Sequence, residues 1–187
     1  MRKPLPVHPA SSAARRSAFT LVEILVVVVI LGIIATVVGV SIGTRDDLKV
    51  QAAARVLAAD LQYAQSRAIV RREPHYVTIG ASRASLQLAT RVSGSWSVLV
   101  HPIDKGEFKM VFGPAGTGGG QDVTLKSEDF DGNAVFGFDE TGAPFFCDAN
   151  GGNRVTASTP ATFTLAAGEH ELTVAIQPIT GEVSITD

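Results

Sequence analysis

The sequence predicts an α+β fold: a long N-terminal helix, transmembrane in its first half, packed on a C-terminal antiparallel β-sheet domain. Three observations predict it. From Ile24 to Thr44 no residue is charged, which is long enough for the roughly 20 apolar residues that a helix needs to cross a bilayer. From Val50 to Ala68 small and apolar residues then recur in alternating steps of four and three, which is one face of a helix. After Pro74 this period gives way to short β-like runs separated by turn residues.

Residues Met1 to Ala18 are rich in Pro, Ser, Ala and Arg and carry four basic residues and no acidic one. They read as an unstructured leader. Positive charge stays on the cytoplasmic side of a membrane, so this leader belongs inside and the chain after Gly43 outside. The 187 residues suffice for one domain with an appendage. The segments are therefore a leader over 1–18, the membrane half of the helix over 19–43, its amphipathic outer half over 44–73 and a globular β-rich domain over 74–187.

Glu23 is the anomaly. A carboxylate near one end of an apolar span is unfavourable and usually marks function. A conventional secretory signal has a shorter apolar core, of roughly 7–15 residues, and disfavours an internal acid. A simple signal anchor fits the length but leaves Glu23 unexplained. A third processing route cuts before the apolar run and keeps it.

The stretch Ala18-Phe19-Thr20-Leu21-Val22-Glu23 and the apolar run behind it resemble the prepilin peptidase recognition segment of type IV pilins and type II secretion pseudopilins. The resemblance implies cleavage between Ala18 and Phe19 on the cytoplasmic face and N-methylation of Phe19. Ala18 stands where the family usually has glycine. Val40 stands where major pilins carry a helix proline, which points to a minor component. A carboxylate in an apolar medium is tolerable mainly when paired, and the Phe19 amine of a neighbouring subunit would supply that partner for Glu23. A local alternative exists. Thr20-Leu21-Val22-Glu23 also spells a capping box, which satisfies free N–H groups at a helix start, and an acid there suits the helix dipole. Both roles can coexist.

In the outer half, Val50, Ala54, Leu57, Leu61, Ala64 and Ala68 form the apolar stripe, and Lys49, Arg55, Gln62 and Arg67 lie off it. No proline interrupts the chain from Phe19 to Glu73, and Pro74 ends the helix. One helix from Phe19 to Arg72 would be roughly 80 Å long at 1.5 Å per residue. The stripe residues are small enough to pack closely on a sheet of the same subunit, with a coiled coil as the alternative. Strands are expected at 75–79, 85–90, 96–100, 109–112, 123–126, 134–138, 161–166, 172–176 and 182–186. Asp131-Gly132 and Thr180-Gly181 are turn signals.

Three further segments, Leu61 to Ile69, Phe136 to Pro144 and Ile179 to Ile185, resemble the GspH/FimT group of minor pseudopilins and minor pilins. That group has a long N-terminal helix on a globular domain of β-sheets.

Other motifs give no chemistry. The glycine-rich run from Gly113 to Gly120 lacks the Lys-Ser/Thr ending of a phosphate loop. Asp129, Asp131 and Asn133 are spaced like part of a calcium loop, but Gly132 replaces a ligand and no Glu closes it. His8, His75, His101 and His170 are scattered without zinc-site spacing, so neither metal nor cofactor is expected. Cys147 is the only cysteine and reads as a buried apolar filler. No nucleophile motif is present, and no enzyme is expected. From Asp104 onward the chain carries four basic and thirteen acidic residues, a net −9, which repels phosphate and disfavours nucleic acid. Arg67, Arg71 and Arg72 form at most a small basic patch.

The expectation is a structural subunit anchored in a bacterial inner membrane by one pass, with a cytoplasmic N-terminus and a periplasmic C-terminal domain. Its partners would be prepilin peptidase, other major and minor pseudopilins, the membrane and secreted cargo. The alternatives are a minor type IV pilin, with or without a role in DNA uptake, and an uncut anchored β-domain that binds a ligand.

Overall fold

A computed structural model of the chain describes residues 20–40, 44–103, 105–116 and 119–187. The chain divides into two compact units, one ending at Ile42 and the other running from Gly43 to Asp187.

The described part of the first unit is helix α1, Leu21–Val40. Its side chains from Leu21 to Ile34 are exposed all round. A helix that is apolar on every face needs an apolar surrounding. Among the described residues no helix is long and apolar enough to cross a membrane. The described side chains of α1 stop at Ile34, so the span expected over 19–43 extends beyond them. Residues 41–43, on which a single helix to Arg72 would depend, lie outside the described residues.

The second unit opens with helix α2, Thr44–Arg71. All six stripe residues, Val50 to Ala68, are fully buried. The stripe lies against strands of both sheets described below, so it packs within its own subunit and not as a coiled coil. At its C-terminus Arg72 takes a left-handed φ of 53° and the Glu73 N–H bonds to the Ala68 carbonyl at 3.3 Å. This is the reversal that commonly closes helices, and Pro74 follows.

Eleven strands come next: β1 His75–Ile79, β2 Ser85–Val92, β3 Ser95–Val98, β4 Lys109–Val111, β5 Thr124–Asp129, β6 Val135–Phe138, β7 Pro144–Cys147, β8 Val155–Thr156, β9 Ala161–Ala167, β10 His170–Ile176 and β11 Val183–Thr186. They form two antiparallel sheets. The seven-stranded sheet runs β3-β2-β1-β6-β7-β8, with β4 also pairing β2, and the four-stranded sheet runs β11-β10-β9-β5. Strands β7 and β8 were not expected from the sequence. Pro144 reads as a breaker, yet a proline is tolerated as the first residue of a strand, where it faces Phe138. β8 is two exposed residues whose pairing with β7 supplies the only reason to extend.

The main core fills the space between α2 and the sheets. Phe130, Phe136 and Phe163 stack and cross at centroid distances of 5.3–6.2 Å, and Leu57, Leu61 and Leu165 are fully buried with them. A smaller group, Tyr76, Val135, Phe145 and Cys147, is buried on the opposite face of the seven-stranded sheet.

Candidate functional site

Two places draw the notable residues together, one in each unit. The first is the start of α1. Thr20 is its N-cap: the Glu23 N–H donates to Thr20 Oγ1 at 3.2 Å. Reciprocally, the Thr20 N–H donates to Glu23 Oε2 at 3.2 Å, with the Thr20 hydroxyl 3.4 Å from the same oxygen. This is the capping box spelled by the sequence: it satisfies the Thr20 N–H and gives the Glu23 N–H, which also donates to the Thr20 carbonyl at 3.1 Å, a second acceptor. Both Thr20 contacts fall on Oε2, so Oε1 keeps its acceptor capacity. The carboxylate is thus turned back toward Thr20. Ala18 and Phe19, the expected cleavage pair, lie outside the described residues.

The second place is Gln65, on the half-buried flank of α2. Its side-chain amide donates to the Gly142 carbonyl at 2.9 Å and to the Thr180 carbonyl at 3.0 Å. The three separated segments that resemble one family therefore meet at one side chain. The helix segment supplies Gln65, the turn between β6 and β7 supplies Gly142, and the turn between β10 and β11 supplies Thr180. The geometry explains the glycines. Gly142 has φ +85°, and a Cβ there would sit 2.7 Å from Ile69 Cδ1; Gly181 has φ +68°, and a Cβ there would sit 2.4 Å from Gln65 Nε2. A side chain at either position would push the turns off the helix.

Asp139 shapes the first turn. Its Oδ1 accepts from the Thr141 N–H at 2.8 Å, the Thr141 hydroxyl at 2.6 Å and the Ala143 N–H at 2.9 Å. Burial alone would raise its pKa, but these hydrogen bonds together outweigh it and hold the carboxyl below its ordinary value. Neither Gln65 nor Asp139 was singled out from the sequence. Gln65 is uncharged and beside the stripe, and only contacts more than 70 residues away reveal its part.

The remaining sequence candidates have structural roles. Cys147 is fully buried, and burial pushes its thiol up to about 11, which leaves it protonated. His75 is buried with Nδ1 2.9 Å from the Glu73 carbonyl, and burial lowers its pKa. Asp129 to Asn133 close a turn, in which Asp129 Oδ1 accepts the Asp131 N–H at 2.9 Å and Asn133 donates to the Phe130 carbonyl. Arg67 donates to Tyr63 Oη at 2.8 Å, while Arg71 and Arg72 are exposed. Among the described residues no group of three His, Cys, Asp or Glu side chains is placed to hold a metal. His8 lies outside them.

Comparison with known proteins gives two family matches. Residues 53–180 match the family described as Type II transport protein GspH, and residues 13–39 match the prokaryotic N-terminal methylation motif. No curated protein matches the chain. Among solved structures, the fold is similar to that of the minor pseudopilin EpsH from the type 2 secretion system of Vibrio cholerae. That likeness has a TM-score of 0.52 and 14% identity, and covers 74% of this chain and 96% of that one. The type IV minor pilin FimU of Pseudomonas aeruginosa aligns with a TM-score of 0.49 and 19% identity, covering 75% of this chain and 90% of that one.

Proposed function

The chain belongs to the type II transport protein GspH family, a family of structural subunits and not of enzymes, and from that membership we propose that it works as a minor pseudopilin at or near the tip of a periplasmic pseudopilus. Membership implies partners in the pseudopilus, and the methylation motif implies processing by prepilin peptidase. In the proposed course the leader stays in the cytoplasm and the apolar helix holds the precursor in the inner membrane. The peptidase cuts between Ala18 and Phe19 and methylates the new Phe19 amine. The subunit then enters the filament, where its β-domain faces other minor pseudopilins and secreted cargo.

The observation that carries this reading is the conjunction of both signals in one chain: a processing motif over 13–39 directly ahead of the family domain over 53–180. The capping geometry supports the part given to Glu23. One carboxylate oxygen is engaged by Thr20, and in the proposed filament the other would accept the Phe19 amine of the adjoining subunit. An ion pair in an apolar medium is far more favourable than either charge alone, so it selects one axial register.

Mass spectrometry of the membrane-extracted protein tests the processing. A chain that begins at N-methyl-Phe19 is expected, and an intact Met1 terminus would sink the proposal. Glu23→Gln keeps a capping acceptor and removes the charge. It should sharply reduce cross-linking of the subunit into filaments while leaving the melting of the β-domain unchanged. Undiminished incorporation would refute the charge pairing.

A further inference from the structure

The outer face of the seven-stranded sheet, opposite the phenylalanine core, carries a row of aromatic rings with cations on them. Tyr76 meets Trp96 edge-on at 4.9 Å and Phe145 at 5.4 Å. The Arg91 guanidinium lies 5.8 Å from the Trp96 ring, and that of Arg154 lies 5.0 Å from Phe145 and 5.3 Å from Tyr76. Beside this row is a groove of about 400 Å³ lined by Thr78, Gln87, Ala89, Trp96, Val98 and Ala149 among others.

The strand register brackets the groove with charge. Along β2, Arg91 faces Trp96, Ala89 faces Val98 and Gln87 faces Lys109 on β4. Arg91 and Gln87, the residue that Lys109 faces, are four residues apart along β2, or roughly 14 Å at about 3.4 Å per residue, so the two cations flank the groove's two ends. Among the described residues neither cation has a carboxylate within ion-pair distance, although other lysines and arginines of the domain do. Asp148, close by, has its oxygens committed to the N–H groups of Asn150 and Gly152 and to the Asn153 amide. Lys109 lies in the stretch from Asp104 onward, whose net charge is −9, while Arg91 lies ahead of that stretch and donates to the Gly94 carbonyl at 3.4 Å.

We propose that this groove docks an extended acidic segment of a protein partner, with two carboxylates spaced four residues apart and an apolar side chain midway between them. The carboxylates meet Arg91 and Lys109, the apolar side chain packs on Trp96 and Val98, and the Thr78 hydroxyl and Gln87 amide serve the main chain. A polyphosphate backbone is disfavoured because its charge would continue past both cations into the acidic remainder of the domain. The inference rests on the sheet alone and holds whether or not Glu23 pairs between subunits.

Trp96 is the only tryptophan, so its emission reads the site directly. The full chain in detergent micelles would be titrated with the blocked peptide Ser-Asp-Ser-Leu-Ser-Asp-Ser. A saturable change in emission is expected. Arg91→Gln and Lys109→Gln should each weaken it by about tenfold without moving the melting temperature, and raised salt should weaken it similarly. The proposal is overturned if emission does not saturate or if both variants bind as the parent does. It is equally overturned if a lysine-substituted peptide or an oligothymidylate binds as tightly.

Discussion

Gln65 is the residue on which the domain's distant segments depend most visibly. Its amide serves two turn carbonyls that no helix or sheet partner satisfies. Leaving the buried Gly142 carbonyl without a partner costs about 1–3 kcal/mol, whereas water can serve the exposed Thr180 carbonyl, so Gln65→Leu should lower unfolding free energy by about 1–3 kcal/mol in a urea titration. A loss below about half a kcal/mol would show that water replaces the amide. Asp60, half-buried on α2, acts in the opposite direction. Burial raises its carboxyl to about 6, against a smaller lowering by His101. A folded pKa above the unfolded one means that the folded state holds the proton more tightly. Through this group stability is greatest at low pH and falls as pH rises from about 4 through 6. Asp60→Asn should therefore raise stability near pH 7 by about 1–3 kcal/mol and flatten the pH profile in that window. Asp139 has the reverse sign. Its depressed pKa stabilises the fold above the ordinary carboxylate range, and that stability is lost as pH falls through the folded value. Asp139→Asn should move the acid-unfolding midpoint of the domain.

At the scale of elements, α2 is defined by what it touches. Its stripe combines branched residues (Val50, Leu57, Leu61) with alanines, and both sheets approach it closely where Ala53, Ala54, Ala64 and Ala68 are fully buried. Two substitutions test this from opposite sides. Leu57→Ala leaves a cavity and should cost about 2–5 kcal/mol. Ala64→Leu adds volume where none is free and should cost about 1–3 kcal/mol. Thermal melts of the two variants check both, and tolerance of Ala64→Leu would mean that the helix can move off the sheets. Helix α1 has no buried side chain among the described residues. Its described features include the Thr20–Glu23 cap and an exposed apolar surface, and such a surface is stabilised by apolar surroundings.

At the scale of the whole molecule, the main core draws its buried residues from Val50 to Ile176 and none from α1 among the described residues. A fragment beginning at Thr44 should therefore unfold cooperatively in urea, and a non-cooperative transition would contradict this. Much of this organisation was legible in the chain. The α2 stripe, the helix stop before Pro74 and the capping box follow from local rules of spacing and hydrogen bonding, and most strands from short apolar runs between turns. Strands β7 and β8 were not legible, because an initial proline and two exposed residues extend only where a neighbouring strand already offers partners. The sequence by itself determined the family segments and the helix, since these depend on residues near one another along the chain. Only the tertiary structure decided that Gln65 joins those segments, that the strands divide into two sheets, and that Arg91 and Lys109 bracket one groove. Each of these is a relation between residues far apart in sequence, set by strand order and register, which no local pattern encodes.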